Sequence, residues 1–188
     1  MKTVEPIRDV NKIKSIKKIL FAQNERDYLL FCIGINSPFR IRDLLQFRYS
    51  DLVNEKGKIL QHFLVKENKT GKVNKIVIGK QLQRDIQSYM SRHFSGHYND
   101  LVFESRKKGN SINRKRAWGI IHDAALEVGL YNIGAHSLRK TFGYHLRKNG
   151  TDIEIIMELL NHSSQRETLR YIGITQDEKD QAVRTLDL

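Results

Sequence analysis

Cysteine is almost absent from this chain of 188 residues: Cys32 is the only one. No internal disulfide and no cysteine-based metal cluster can form, and a reducing cytoplasm fits, which for a bacterial protein means the cytoplasm or the nucleoid. Proline is nearly as scarce, with only Pro6 and Pro38. Proline and glycine together are too sparse for a long linker, and no internal repeat is visible. No apolar run approaches the roughly 18 residues of a membrane span. The N-terminus, MKTVEPIRDVNKIKSIKKIL, is basic but broken by charges, and it lacks the apolar stretch of a secretory signal. Acidic side chains are in deficit, 21 Asp and Glu against 33 Lys and Arg.

The result is a net charge of +12, spread over KIKSIKK at 12–18, KENKTGKVNK at 66–75, RKK at 106–108 and RKR at 114–116. Such a surplus favours a polyanionic partner, because each neutralised phosphate releases counterions. A merely soluble basic protein shares this composition, so charge alone does not choose. Its dispersal suits a broad DNA-facing surface better than a disordered basic tail. With 39% hydrophobic and 29% charged residues, the chain suits one globular domain, or at most two small ones.

Apolar spacing predicts a helix over 9–22, with Val10, Ile13, Ile16 or Lys17, and Leu20 on one side. Asn24 reads as the N-cap of a second helix carrying Tyr28, Phe31, Cys32 and Ile35. Pro38 ends or interrupts it, and residues 40–48 restart a short helix. The period then changes. KILQHFLV (58–65) and KVNKIVI (72–78) read as two strands of a hairpin joined by the turn-rich KENKTG. Residues 80–93 return to helix, and LVF (101–103) is a candidate third strand. Ser111 opens a helix to Val128, with Trp118, Ile121 and Ala125 on one side and Gly129 past its end. Another runs 135–149, ended by Gly150. Thr151 with Glu154, and Ser164 with Glu167, read as capping boxes for two further helices. The tail, TQDEKDQAVRTLDL, could form one more amphipathic helix. The fold class expected is α+β, mainly α: a helical domain with a small antiparallel sheet.

Six residues draw attention as chemistry. His136 and Arg139, in HSLR, share a helix face. A cation beside a proton carrier suits a phosphate held while a proton moves; a helix-surface pair explains them equally well, and chance supplies H-x-x-R often. His145 lies with Leu138, Phe142 and Leu146 on a core-facing stripe and reads as structural. His162 sits in a short inter-helix loop, where side chains can point at a ligand, although a lone loop histidine is usually only that. Tyr171, nine positions later, is by default the amphipathic edge of a core. Arg40, at a helix start, is a better anion candidate than Arg42, or else a solvated arginine. Lys69, in the hairpin turn, is by default a solvated charge. Together these residues offer charge stabilisation, a nucleophile and a proton donor without a metal-binding set, as phosphoryl transfer requires.

Their order resembles the tyrosine recombinase (phage integrase) family over about residues 10–180. NSPFRIRDLLQFRYSDL is similar to the family's first box and places its arginine at Arg40, with Asp43 as the supporting acid. ENKTGKVNKIVI resembles the hairpin carrying the catalytic lysine, here Lys69. HSLRKTFGYHL resembles H-x-L-R-H-T and gives His136 and Arg139. LLNHSS gives His162, and TLRYIGI, resembling T-x-x-Y, gives Tyr171. Ser37-Pro38-Phe39 replaces the usual T-G-L, Lys140 stands where His is common, and Asn161 where Gly is common.

The resemblance implies the DNA breaking-rejoining catalytic fold, with residues 1–188 as a single catalytic domain and the N-terminal core-binding domain absent. It implies a site-specific recombinase that cleaves and rejoins double-stranded DNA through a 3′-phosphotyrosine. Tyr171 would be the nucleophile, Arg40, Arg139 and His162 the phosphate ligands, His136 the proton carrier and Lys69 the general acid. No cofactor, metal, membrane or small-molecule substrate is implied. Four protomers are expected on two DNA sites, with a monomer allowed when DNA is absent. Topoisomerase-like relaxation, of type IB, and a catalytically inactive DNA-binding module are the alternatives.

Overall fold

The structure is a computed structural model that describes residues 4–66, 73–173, 180 and 183–186. Lys69 and most of the tail beyond Gly173 lie outside the described residues. The elements run α1 (Val10–Gln23), α2 (Glu25–Ile35), α3 (Ile41–Leu44), a 3₁₀ turn (Tyr49–Asp51), β1 (His62–Lys66), β2 (Val73–Val77), α4 (Lys80–His93), α5 (Arg114–Leu126), α6 (Ala135–Lys148), α7 (Ile153–Leu159) and α8 (Gln165–Ile172). Among the described residues, no helix is long and apolar enough to cross a membrane.

Helix α2 forms the centre. Leu29, Leu30, Phe31, Cys32 and Ile33 are all fully buried, so this helix is apolar around most of its circumference, as a core helix must be. It packs against α1, α3, α4, α5 and α6. Asn24 caps its start, accepting from the amides of Arg26 and Asp27. Helix α1 buries Ile13, Ile16 and Leu20 against it, while Val10 stays half exposed.

The strands β1 and β2 pair antiparallel, with His62 opposite Val77 and Phe63 opposite Ile76. Alternation puts Phe63 and Ile76 in the core and leaves Leu64 and Val77 in solvent. Phe63 meets Phe39 and Phe47 at ring-centroid distances of 5.4 and 5.6 Å. This aromatic group joins the hairpin to the loop that carries Arg40.

Four expectations need correction. LVF (101–103) is not a third strand: Leu101 makes an isolated bridge with Arg48, and Val102 and Phe103 are apolar because they fill the core. The helix expected from Ser111 starts at Arg114 with Asn113 as its cap, because Ser111 is engaged in a bridge with Glu104. Helix α7 is capped by Asp152, not Thr151, whose amide closes the end of α6 by donating to the Leu146 carbonyl. The Ser164–Glu167 box is displaced by one residue. The Ser164 hydroxyl accepts from the Glu167 amide at 3.1 Å, but the Glu167 carboxylate accepts from the Ser163 amide at 3.0 Å.

Candidate functional site

Arg40 is the exposed N-cap of α3. Its position is set by its neighbours, because Phe39 and Ile41 are both buried and leave the side chain between them outside. The next acid, Asp43, pairs with Arg42 at 3.4 Å rather than with Arg40, and it adds a favourable field at Arg139.

Helix α6 supplies the second cation. Arg139 is only 6% exposed. Its Nη2 donates to the carbonyl of Leu160 at the end of α7, where helix carbonyls lack intrahelical partners and a cation is favoured. Its Nε is buried without a hydrogen-bond partner. A guanidinium presents five donors in a rigid fork, so the one holding the Leu160 carbonyl keeps donors for an anion.

The loop after α7 turns through Asn161, whose φ of 46° lies in the left-handed region. Asn tolerates that region better than most residues, which explains how it serves where Gly is common. This turn presents His162. The Thr168 hydroxyl donates to the Ser164 carbonyl at 3.2 Å, so it accepts from His162 Nδ1, 3.1 Å away. That bond selects the Nδ1–H tautomer and leaves Nε2 as a lone pair.

Tyr171, half-buried near the end of α8, meets these groups directly. Its ring centroid lies 4.9 Å from that of His162, 5.9 Å from the Arg139 guanidinium carbon and 5.2 Å from Lys140 Nζ. Lys140 is itself buried, at 8% exposure. His136 stands at the exposed rim, one helical turn before Arg139.

The electrostatics bind the set together. Arg40 adds to the positive field at His136, Arg139, His162 and Tyr171 alike. Loss of solvent, then Arg139, Lys140, Arg40 and Arg114, hold His136 below the ordinary histidine range. His162 is lowered by burial, helped by Arg139 and Arg40 and opposed by Glu167. Burial raises the Tyr171 phenol, while Arg139 and Arg40 pull it back. The histidines are therefore neutral at neutral pH, and the phenol is protonated.

Five of the six residues singled out in the sequence thus share one electrostatic neighbourhood, and Lys69 falls outside the described residues. His145 is structural, since its Nε2 donates to the Ile7 carbonyl at 2.9 Å. Sequence reasoning missed Thr168, although it stands in the same T-x-x-Y pattern as Tyr171. It noted Lys140 only as a departure.

The sequence pattern of the phage integrase family matches residues 8–178. "Probable integrase/recombinase YoeC" of Bacillus subtilis (strain 168) is 41% identical over 94% of this chain and 93% of its own length. "Tyrosine recombinase XerA" of Pyrococcus furiosus is 27% identical over all of this chain, which spans 64% of that relative. The crystal structure of XerA recombinase superposes with a TM-score of 0.77 at 19% identity, covering all of this chain and 66% of that one. XerH bound to its palindromic difH substrate, in a post-cleavage complex, gives 0.75 at 19% identity over all of this chain and 54% of that one. The fold is therefore that of tyrosine recombinase catalytic domains, and by sequence the chain belongs to the phage integrase family.

Proposed function

We propose that this protein is a site-specific DNA recombinase that breaks and rejoins DNA strands through a 3′-phosphotyrosyl intermediate. One observation carries the reading: the Tyr171 ring lies against His162 and Arg139, with Arg40 and His136 in the same cationic field, so that five residues from four separate parts of the chain meet. Relatives named as recombinases, and neighbours such as XerH bound to its DNA substrate, support it.

A phenol with an ordinary pKa near 10 is only about one-thousandth ionised at neutral pH, and burial makes Tyr171 a weaker acid still. The proton must leave as the bond forms. Tyr171 Oη attacks phosphorus in line, and its proton passes to His136, which is neutral and able to accept it. Arg40 and Arg139 hold the non-bridging oxygens, a task suited to planar guanidinium forks. His162 completes the phosphate cradle by taking up a proton at Nε2 beside the bound anion and donating it to a non-bridging oxygen, while its Nδ1–H stays on Thr168. The P–O5′ bond breaks, and Lys69 protonates the departing 5′ oxygen. Attack by a 5′ hydroxyl of a partner strand reverses the sequence and releases Tyr171. Bond energy is stored in the phosphotyrosyl link, so no nucleotide hydrolysis is needed. The net charge of +12 supplies attraction to the DNA backbone. The active assembly is four protomers on two DNA sites.

The test is a nicked suicide duplex carrying the cognate site, incubated with protein in EDTA. A covalent adduct is expected from the wild type and none from Tyr171→Phe. An adduct that survives Tyr171→Phe would overturn the assignment of the nucleophile. Steeply salt-dependent binding with no adduct from the wild type would point instead to a DNA-binding module.

A further inference from the structure

Tyr171 does not rest on the main core. Helix α8 packs with α6 and α7 around a separate small cluster of Tyr144, Ile156, Leu160 and Ile172. The larger core is built from α1 to α6 and the hairpin. Elements with few buried apolar contacts open at low free-energy cost. The position of Tyr171 therefore depends on whatever else ties α8 down.

The segment before α1 supplies such a tie. Its backbone is fastened at three points: the Glu5 amide donates to the Asn132 carbonyl at 2.8 Å, the Ile7 amide to Thr141 Oγ1 at 2.8 Å, and the Ile7 carbonyl accepts from His145 at 2.9 Å. Ile7 itself is fully buried. From this strap Arg8 reaches 165 positions along the chain, and its Nη2 lies 3.4 Å from the Gly173 carbonyl. The same nitrogen pairs with Glu5 at 2.9 Å. The guanidinium carbon stands 5.5 Å from the centre of the Tyr144 ring, inside the small cluster. Gly173 is the residue that ends α8, with φ at 72°. A Cβ there would lie 3.0 Å from Arg8 Nη2, so the guanidinium sits directly on this backbone turn. Glu5 and Arg8 also bear on Lys140, Glu5 favouring its charge and Arg8 opposing it. Lys140 in turn stands over the Tyr171 ring.

We propose that Arg8 is a positioning residue for Tyr171: held by Glu5, it clamps the end of α8 at Gly173, and Lys140 seats the ring. The proposal rests on Tyr171 being the nucleophile. Arg8 touches neither DNA nor phosphorus in this scheme. It acts by restricting where the phenol can stand.

Hydrogen exchange of the whole chain without DNA, paired with single-turnover cleavage of the suicide duplex at saturating protein, tests this. Arg8→Ala is expected to speed exchange across residues 165–173 by about tenfold, with α2 unchanged. The cleavage rate constant should fall by about tenfold while DNA affinity stays within about twofold, a loss in the chemical step rather than in binding. Arg8→Lys keeps a donor for both oxygens and should recover most of each effect, and Glu5→Gln should show the same pattern more weakly. Unchanged exchange across 165–173 in Arg8→Ala, an unchanged cleavage rate, or an equal rise of exchange in α2 would each overturn the clamp. A wild type that forms no adduct would remove the recombinase reading alone, and exchange across 165–173 would still decide whether Arg8 holds the helix.

Discussion

His162 meets Tyr171 edge to face, with ring planes at 77°, and Thr168 holds the imidazole in that orientation from within α8 itself. The histidine comes from the loop before α8 and the tyrosine from its end, so one short helix sets both partners.

Thr168→Val tests that arrangement because it keeps shape and removes the hydroxyl. Thr168 is fully buried, so the imidazole N–H would lose its acceptor, at about 1 kcal/mol of stability. Strand cleavage should fall by about tenfold as the imidazole loses the acceptor that orients it. Thermal melts and the suicide-duplex assay read the two effects, and Thr168→Ser should restore both. Cleavage at the wild-type rate in the valine variant would remove Thr168 from the site.

Arg139→Lys should behave as a severe change. One ammonium cannot hold the Leu160 carbonyl and also present a planar fork to a phosphate. Cleavage should drop by about 100- to 1,000-fold. The melting temperature should change far less than in Arg139→Ala, which leaves a buried carbonyl unpaired at about 1–3 kcal/mol. A lysine variant with near-normal cleavage would show that bidentate geometry is not used.

The two histidines carry a pH signature. Both have folded-state pKa values below 6.5, first through loss of solvent and then through neighbouring cations. The unfolded chain therefore binds more protons than the folded one in this region. Their contribution is fully present above pH 6.5 and is lost as pH falls through the folded values. Urea midpoints measured from about pH 8 to 5 should decline on the acid side. The decline should be shallower in His136→Gln/His162→Gln, and an unchanged slope in that double variant would contradict the assignment.

Gly143→Ala separates helix propensity from packing. Alanine favours a helix interior by up to about 1 kcal/mol. At this position its Cβ would stand 2.8 Å from Ile172 Cγ2 and 3.1 Å from Leu160 Cδ1. Overpacking of this kind costs about 1–3 kcal/mol, so the clash should win and push α8 away from α6. Lower thermal stability together with slower cleavage is expected, and a more stable, fully active variant would show that the contact relaxes freely.

Much of this was legible in the chain itself. The Asn24 cap, the central helix after it, the hairpin alternation and the glycines closing α5 and α6 all follow from local rules, since caps, turns and two- or 3.6-residue periods are written in neighbouring residues. The failures share a cause. LVF at 101–103 has strand composition but makes only an isolated bridge between Leu101 and Arg48, and Thr151 has a cap hydroxyl but its amide is spent on the preceding turn. Each was decided by a neighbour distant in the chain or by competition for one backbone group.

The site divides in the same way. Arg40, His136, Arg139, His162 and Tyr171 could be picked out as candidates by residue type, and their order as a set came from the resemblance to the phage integrase family. Their convergence, the use of Arg139 on the Leu160 carbonyl, the grip of Thr168 on His162, the place of Lys140 over Tyr171 and the reach of Arg8 to Gly173 came only from the folded chain. Residue type and period act over a few positions, whereas hydrogen bonds, charge fields and ring contacts act through space, across separations that no local pattern records.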